Sequence, residues 1–443
     1  MQPKLTVSGY RGIWGTTLTT QIAQDFAQAF SLFMQERNAK TIFVARDGRE
    51  SGIELCETII GTLTEQGQNV INLGMMPTPI VLFLVQNKKA DGAIIVTASH
   101  NPIEYNGLKF VTDTGFFTTE SEVAEIERLR GSASKAEPRP GTRIDEPNLF
   151  DSYLSTLLEH IDIQKIQNNH FKVALDPINS VGCTTTPKLF EKLGVSFSII
   201  NGEPTGKFEH EPEPLPKNLT GLQALVRETK SDVGFAQDPD GDRLVIYDEK
   251  GNIPTEETML ALCVKAVLTK TPGTIVLNLS TSRMSEDIAN THGCKTIRSK
   301  VGEANVVSAM TEHQAIVGGE GGGGIIWPVV NTARDSFVGI ALILECMTIE
   351  QKPLSRIIAE LPHYTMIKEK ISFSGDLLGL YEKIKKTFSE GTVNTLDGLR
   401  LDFLDLSWVH VRPSNTEPVV RIIAEAKTPE RALQIIDGVK SLL

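Results

Sequence analysis

Three times along this chain a short apolar, β-branched run feeds straight into a loop of small polar residues: ARDGRESG at 45–52, LDPINSVG at 175–182 and LNLSTSRM at 277–284. This pattern constrains the fold more than any other, because ligands of open α/β sheets bind where strands end. Helical periods separate the runs. Ile22, Phe26, Phe30, Phe33 and Met34 recur on one helix face. TIFVA (41–45) then reads as a strand and RDGRESG (46–52) as a polar loop. Residues 53–65 read as a helix with Leu55, Ile59, Ile60 and Leu63 on one side and Gly67 as its stop. Residues 69–73 and GAIIV (92–96) read as strands. This β-α-β alternation predicts a mainly parallel, covered sheet.

Residues 131–148 are rich in Pro, Gly, Ser and charge and read as a linker. New β-α units start at FKVALD (171–176) and, after a helix at 256–268, at TIVLNLS (274–280). The three strand-loop segments are only loosely alike, which fits three related α/β domains without requiring them. The tail differs: a strand at 364–373, a helix at 376–388, two strands within 398–411, a strand at 419–426 and a helix at 429–442. That is an α+β layout. The expected domains are 1–148, 149–254, 255–365 and 366–443.

Composition removes several classes of function. Lys plus Arg is 44 against 55 Asp plus Glu, a net charge of −11 that suits nucleic acid poorly. There is no apolar run long enough to span a membrane and no apolar signal core in MQPKLTVSGYRG. Five scattered cysteines without a C-x-x-C pair indicate neither a zinc site nor a disulfide framework. The expected location is the reducing cytoplasm.

Four loops carry chemistry. TASHNP (97–102) follows GAIIV and offers Ser99 as a nucleophile outside any G-x-S-x-G elbow, with Lys109 of NGLK ten residues on. DPDGDR (238–243) alternates Asp238, Asp240 and Asp242, so three carboxylates can converge on one hard cation. Arg243 stands where an EF-hand needs Gly, and a metal beside an Arg suits a phosphoryl group. GGEGGGG (318–324) lets backbone approach a ligand, with Glu320 as its one polar side chain. RPSNTEP (412–418) offers Arg412, Ser414, Asn415 and Thr416 as a phosphate cradle, with Arg421 on the strand that follows.

These four loops, in this order and over essentially the whole chain, resemble those of the α-D-phosphohexomutase family; RDGRESG and Gly9-Tyr10-Arg11-Gly12 also resemble family segments. The resemblance implies three related mixed α/β domains plus a C-terminal α+β domain around a central cleft. It implies a Ser99 that is phosphorylated at rest, primed by a hexose 1,6-bisphosphate, and that exchanges phosphoryl groups with a sugar monophosphate. Mg²⁺ would be held by Asp238, Asp240, Asp242 and a phosphoserine oxygen on Ser99. Arg243 would stabilise phosphoryl charge, Lys109 would act as general acid/base, Arg11 would assist by charge and His100 would position the serine loop. Arg412, Ser414, Asn415, Thr416 and Arg421 would hold the non-reacting phosphate, and Lys300, Glu320 and Gly322 would meet the sugar. Where the family loop often reads G-E-x-S-G-H, Gly322 and Gly324 replace Ser and His.

Length and the RPSNTEPVVRIIAEAKT segment look most like phosphoglucosamine mutases, with phosphomannomutase/phosphoglucomutase members close. The implied partner is a small phosphosugar, with no nucleic acid or membrane, and the implied assembly a monomer or homodimer. Two alternatives stand: a catalytically weak sugar-phosphate binder, and an aspartyl phosphatase using Asp238.

Overall fold

The computed structural model describes residues 4–132, 140–413 and 419–443. They form two compact units. One comprises the chain up to Thr255 together with Gly323–Ile357; the other comprises Glu256–Gly322 and Ile358–Leu443.

The first unit opens with a six-stranded sheet in the order Tyr10–Ile13, Tyr105–Val111, Gly92–Val96, Thr41–Arg46, Asn69–Met75, Arg143–Asp145. Its centre is parallel, while Tyr105–Val111 runs antiparallel to both neighbours. Helix Thr20–Gln35 starts at Thr19, whose hydroxyl accepts from the Ile22 N–H. It buries Ala23, Phe26, Phe30, Phe33 and Met34 beside Ile59, Leu63 and Phe110. The stretch expected to be a linker contributes a strand, Arg143–Asp145, parallel to Asn69–Met75. All three of its residues are exposed, so no apolar alternation marks it.

A second sheet orders Leu244–Asp248, Val233–Gln237, Lys172–Asp176, Ser196–Ile199, with the first pair antiparallel and the rest parallel. Helix Ser336–Glu350 is buried on nearly every side, as an apolar sequence without a polar face requires. Asp335 caps it, accepting from the Phe337 and Val338 N–H groups, and also accepts from the Tyr153 hydroxyl at 2.7 Å.

The second unit carries the parallel strands Thr296–Ser299, Ile275–Asn278 and Val317–Glu320. It also carries an antiparallel sheet ordered Thr365–Ser372, Val419–Ala426, Trp408–Pro413, Leu399–Asp402, Thr392–Asn394. Helices Leu377–Thr387 and Pro429–Lys440 cover that sheet through Leu380, Ile384, Ile435, Ile436 and Val439. This is the expected α+β tail, with one short exposed edge strand, Thr392–Asn394, added.

Candidate active site

Strand Gly92–Val96 is buried along its whole length and delivers the chain into TASHNP. Ser99 sits in the left-handed region at φ +50°. A non-glycine residue there costs roughly 1–3 kcal/mol and persists only where its surroundings hold it. The Thr97 hydroxyl supplies part of that hold by accepting from the Ser99 N–H at 2.9 Å. Ser99 Oγ donates to Asp238 Oδ2 at 3.1 Å and lies 3.3 Å from His100 Nδ1. Burial, reinforced by Arg243 and Arg11, pulls the His100 pKa down to about 3, so the ring is neutral at physiological pH.

Asp238, Asp240 and Asp242 each point one oxygen into a common space, all within 4.8 Å of one another. All three side chains are buried. Their other oxygens are accounted for. Asp238 Oδ1 accepts from the Asp242 and Arg243 N–H groups, each at 3.1 Å. Asp240 Oδ2 accepts from Lys109 Nζ at 2.7 Å and from the Thr78 hydroxyl at 2.8 Å. Asp242 Oδ2 accepts from Arg334 Nη2 at 2.5 Å. Oδ1 of Asp240 and Oδ1 of Asp242 are buried with no hydrogen-bond partner.

Bare buried carboxylate oxygens are costly, and a hard divalent cation is the group that satisfies them. The electrostatics agree. Burial and the neighbouring Asp242 and Asp240 push the Asp238 pKa well up. Burial would raise Asp240 too, but the Lys109 ammonium and the hydrogen bonds outweigh it and hold that carboxyl far below the usual range. The donor set therefore fits Mg²⁺.

Cations ring the cluster. Lys109, on strand Tyr105–Val111, also lies 3.9 Å from Asp242 Oδ2. Arg243 Nε is 3.9 Å from Asp242 Oδ1. Arg11, on Tyr10–Ile13, donates to Asn101 Oδ1 at 2.7 Å. Burial lowers the Arg11 pKa, Asp240 and Asp242 oppose this, and Arg243 and Arg334 add to it. The Nε groups of Arg11 and Arg243 are buried without an acceptor. An oxyanion would supply one.

Arg334 and Thr78 escaped the sequence reading. Gly324, in the place of the family's His, explains Arg334: a Cβ there would lie 2.5 Å from Arg334 Cδ. The guanidinium stem fills the space that the missing side chain leaves. The available signal was TARDS, an Arg just ahead of the capping Asp335 and a long apolar run.

In the second unit, Glu320 Oε1 accepts from Asn278 Nδ2 and the Gly302 N–H, both at 2.7 Å. Lys300 is exposed. Arg412 and Arg421 stand directly opposite one another on paired strands, and Lys370 stands opposite Arg421 on its other side. Like charges in register repel. Nε of Arg412 and Nε of Arg421 are buried without an acceptor, and Asp397 Oδ2 is 3.6 Å from Arg412 Nε. The arrangement suits a bound anion. Ser414, Asn415 and Thr416 lie outside the described residues. Gly322 is left-handed at φ +86°, with only Glu256 Oε2 within 4 Å of where a Cβ would be.

A serine held against three buried Asp that could hold a cation, ringed by guanidinium and ammonium groups, fits a phosphoryl-transfer enzyme on an α/β scaffold. Family models described as phosphoglucomutase/phosphomannomutase match the chain in four stretches: alpha/beta/alpha domain I at 3–137, domain II at 151–251, domain III at 255–364 and the C-terminal domain at 380–441. A phosphoglucomutase/phosphomannomutase of Thermococcus kodakarensis is 33% identical over 443 residues, covering 98% of this chain and 97% of its own length. A probable phosphoglucosamine mutase of Methanopyrus kandleri is 31% identical over 439 residues, covering 97% and 95%. A solved phosphoglucomutase/phosphomannomutase family structure from Burkholderia thailandensis superposes with a TM-score of 0.87 at 27% identity, covering 98% of this chain and 96% of that one. The chain belongs to the α-D-phosphohexomutase family, whose enzymes are isomerases. No helix among the described residues is long and apolar enough to cross a membrane, and all five cysteines are free thiols.

Proposed function

We propose that this chain interconverts the 6- and 1-phosphates of a hexose through a phosphorylated Ser99, with glucosamine phosphate as the preferred substrate. The observation that carries the reading is Ser99 Oγ at 3.1 Å from Asp238, inside a buried three-carboxylate site ringed by Lys109, Arg11, Arg243 and Arg334.

In the forward half-cycle the free hydroxyl of the sugar monophosphate attacks phosphorus. A new P–O bond forms to the sugar and the bond to Ser99 Oγ breaks. The hydroxyl proton ends on Ser99 Oγ, with Lys109 as the relay. The sugar bisphosphate turns over, Ser99 takes the other phosphoryl group by the reverse chemistry, and the net change is isomerisation. Mg²⁺ on Asp238, Asp240 and Asp242 would supply Lewis-acid neutralisation of the phosphoryl oxygens. Arg243 and Arg11 offer their unpartnered N–H groups to the same oxygens. His100, neutral at physiological pH, orients the Ser99 hydroxyl without competing for a proton.

Arg412 and Arg421, with Ser414, Asn415 and Thr416, hold the non-reacting phosphate, and Glu320 and Lys300 contact the sugar. A hexose 1,6-bisphosphate primes Ser99. The enzyme works in the cytoplasm as a monomer or homodimer.

The preference for glucosamine over glucose and mannose rests on the likeness of the chain's length and C-terminal segment to phosphoglucosamine mutases. The glycines at 322 and 324 favour one competing reading, a member that binds sugar phosphates but turns them over weakly. Two measurements decide. Intact-mass spectrometry should find phosphate on Ser99 after incubation with glucose 1,6-bisphosphate. A side-by-side mutase assay with Mg²⁺ should rank glucosamine phosphate first. No phosphate on Ser99 and no turnover of any of the three sugars would sink the proposal.

A further inference from the structure

The segment RDGRESG has a family likeness and, so far, no task. Two of its charged side chains, Asp47 and Arg49, are buried in a way that a surface loop does not need. Arg49 and Asp47 are at most 1% exposed and ion-paired to each other. Arg49 Nη2 donates to the carbonyl of Ser99 at 2.8 Å and to the carbonyl of Asn101 at 2.6 Å. Asp47 Oδ2 accepts from the Thr97 hydroxyl at 2.7 Å. That hydroxyl in turn accepts from the Ser99 N–H. One side chain therefore grips the peptide after Ser99, and its partner secures the peptide before it.

The same segment also reaches the metal loop. The Gly48 N–H donates to Ser180 Oγ at 2.8 Å, and Ser180 Oγ donates to the carbonyl of Pro239 at 2.5 Å. Ser180 belongs to LDPINSVG, where Ile178 and Asn179 are both left-handed. Gly48 must be glycine for this approach: a Cβ there would stand 2.8 Å from Ser180 Oγ and 2.9 Å from Ser180 Cα. Two loops that the sequence shows as separate strand ends are thus joined by one hydroxyl.

We propose that Arg49, Gly48 and Ser180 form a positioning strut that sets the distance between Ser99 and the Asp238–Asp242 loop. This rests on the phosphoryl-transfer reading above and assigns that site its positioning residues. None of the three touches the reacting atoms; each acts through backbone groups of the loops that do. Phosphoryl transfer depends mostly on placement, and a 1 Å displacement of a reacting group can cost ~100-fold.

The test measures single-turnover loss of phosphate from phosphorylated Ser99 to a hexose phosphate, per phosphorylated site, alongside steady-state KM and kcat. Ser180→Ala removes only the bridging hydroxyl. Its per-site transfer rate and kcat should fall about 10–100-fold while KM stays within about twofold. Arg49→Lys keeps a charge beside Asp47 but has one nitrogen where Arg49 uses two, Nη1 on Asp47 and Nη2 on the carbonyls of Ser99 and Asn101. It should slow transfer as well, and added guanidinium should partly restore an Arg49→Ala variant.

A merely structural role would lower the melting temperature and the fraction of phosphorylated protein, yet leave each phosphorylated site transferring at the unmodified rate. That result in Ser180→Ala would overturn the strut, even if the Arg49 variants fail to fold. Absence of phosphorylation in the unmodified enzyme would instead remove the function itself, so the two failures are distinguishable.

Discussion

The two units solve opposite electrostatic problems. In the first, acids are crowded and cations are brought to them: Asp240 has Lys109, Asp242 has Arg334, and two bare oxygens remain. In the second, cations are crowded: Arg412, Arg421 and Lys370 stand in one row across three strands, with Asp397 the nearby carboxylate. One region carries an excess of buried carboxylate oxygens, the other an excess of guanidinium and ammonium groups. A site's ligand can be read from the charge its own residues fail to neutralise.

The sharpest break between the two regions is Ser99→Ala. Turnover should fall about 10⁴-fold or more, while calorimetry should still detect hexose phosphate binding, because the arginine row is intact. Loss of binding together with turnover would mean that the two regions are not separable in function.

Metal removal comes next. A chelator should lower turnover by at least about 100-fold. It should also lower the melting temperature, since a cation that binds only the folded chain stabilises it. Restoring Mg²⁺ should reverse both effects.

Arg421→Ala probes the other region. KM for the sugar phosphate should rise by about 10-fold or more as a charge-assisted grip is lost. The melting temperature of the free protein should not fall, because a like-charge contact goes with it. A marked drop would assign Arg421 a structural role.

A smaller effect concerns Glu257, a buried acid in the second unit. Burial lifts its pKa from 4.5 to about 7, against the pull of Lys368 and the Ser282 N–H. A carboxyl raised in the folded state contributes stability that is full below pH 4.5 and lost as pH rises to about 7. The difference in melting temperature between the unmodified protein and Glu257→Gln should therefore shift across that window and be flat above it.

The smallest effect is expected for Gly322→Asn. Asn tolerates the left-handed region and open space surrounds the position, so turnover should change only a few-fold. A shift in the ranking of the three sugars would show that position 322 sets specificity.

Much of the candidate site was legible because its residues are clustered in sequence. TASHNP and DPDGDR each carry their chemistry within six positions, and GAIIV before the first reads as buried in any frame. The partners of those loops were not legible. Thr78 meets Asp240 from 162 residues away, Ser180 meets Gly48 from 132, and Arg334 meets Asp242 from 92. Such contacts depend on how sheets are ordered, which no local pattern encodes. The strand Arg143–Asp145 was hidden for a different reason: its three residues are exposed and carry no apolar alternation, and backbone pairing, the Asn72 amide on Asp145 at 2.6 Å and the Arg143–Glu57 ion pair hold it. The facing of Arg412 and Arg421 needed strand register, though both arginines were already candidates.

The first unit is interrupted. Its chain leaves at Thr255 and returns at Gly323. During synthesis the DPDGDR loop leaves the ribosome long before Arg334 does, and 92 residues at ~5–20 residues per second is on the order of 5–20 s. Over that interval Asp242 lacks its guanidinium, and helix Ser336–Glu350 with its Asp335 cap does not yet exist. Until then the charge on the three Asp side chains is met by Lys109 and Arg243, both already made, so the order of translation sets when the cluster reaches its full charge balance.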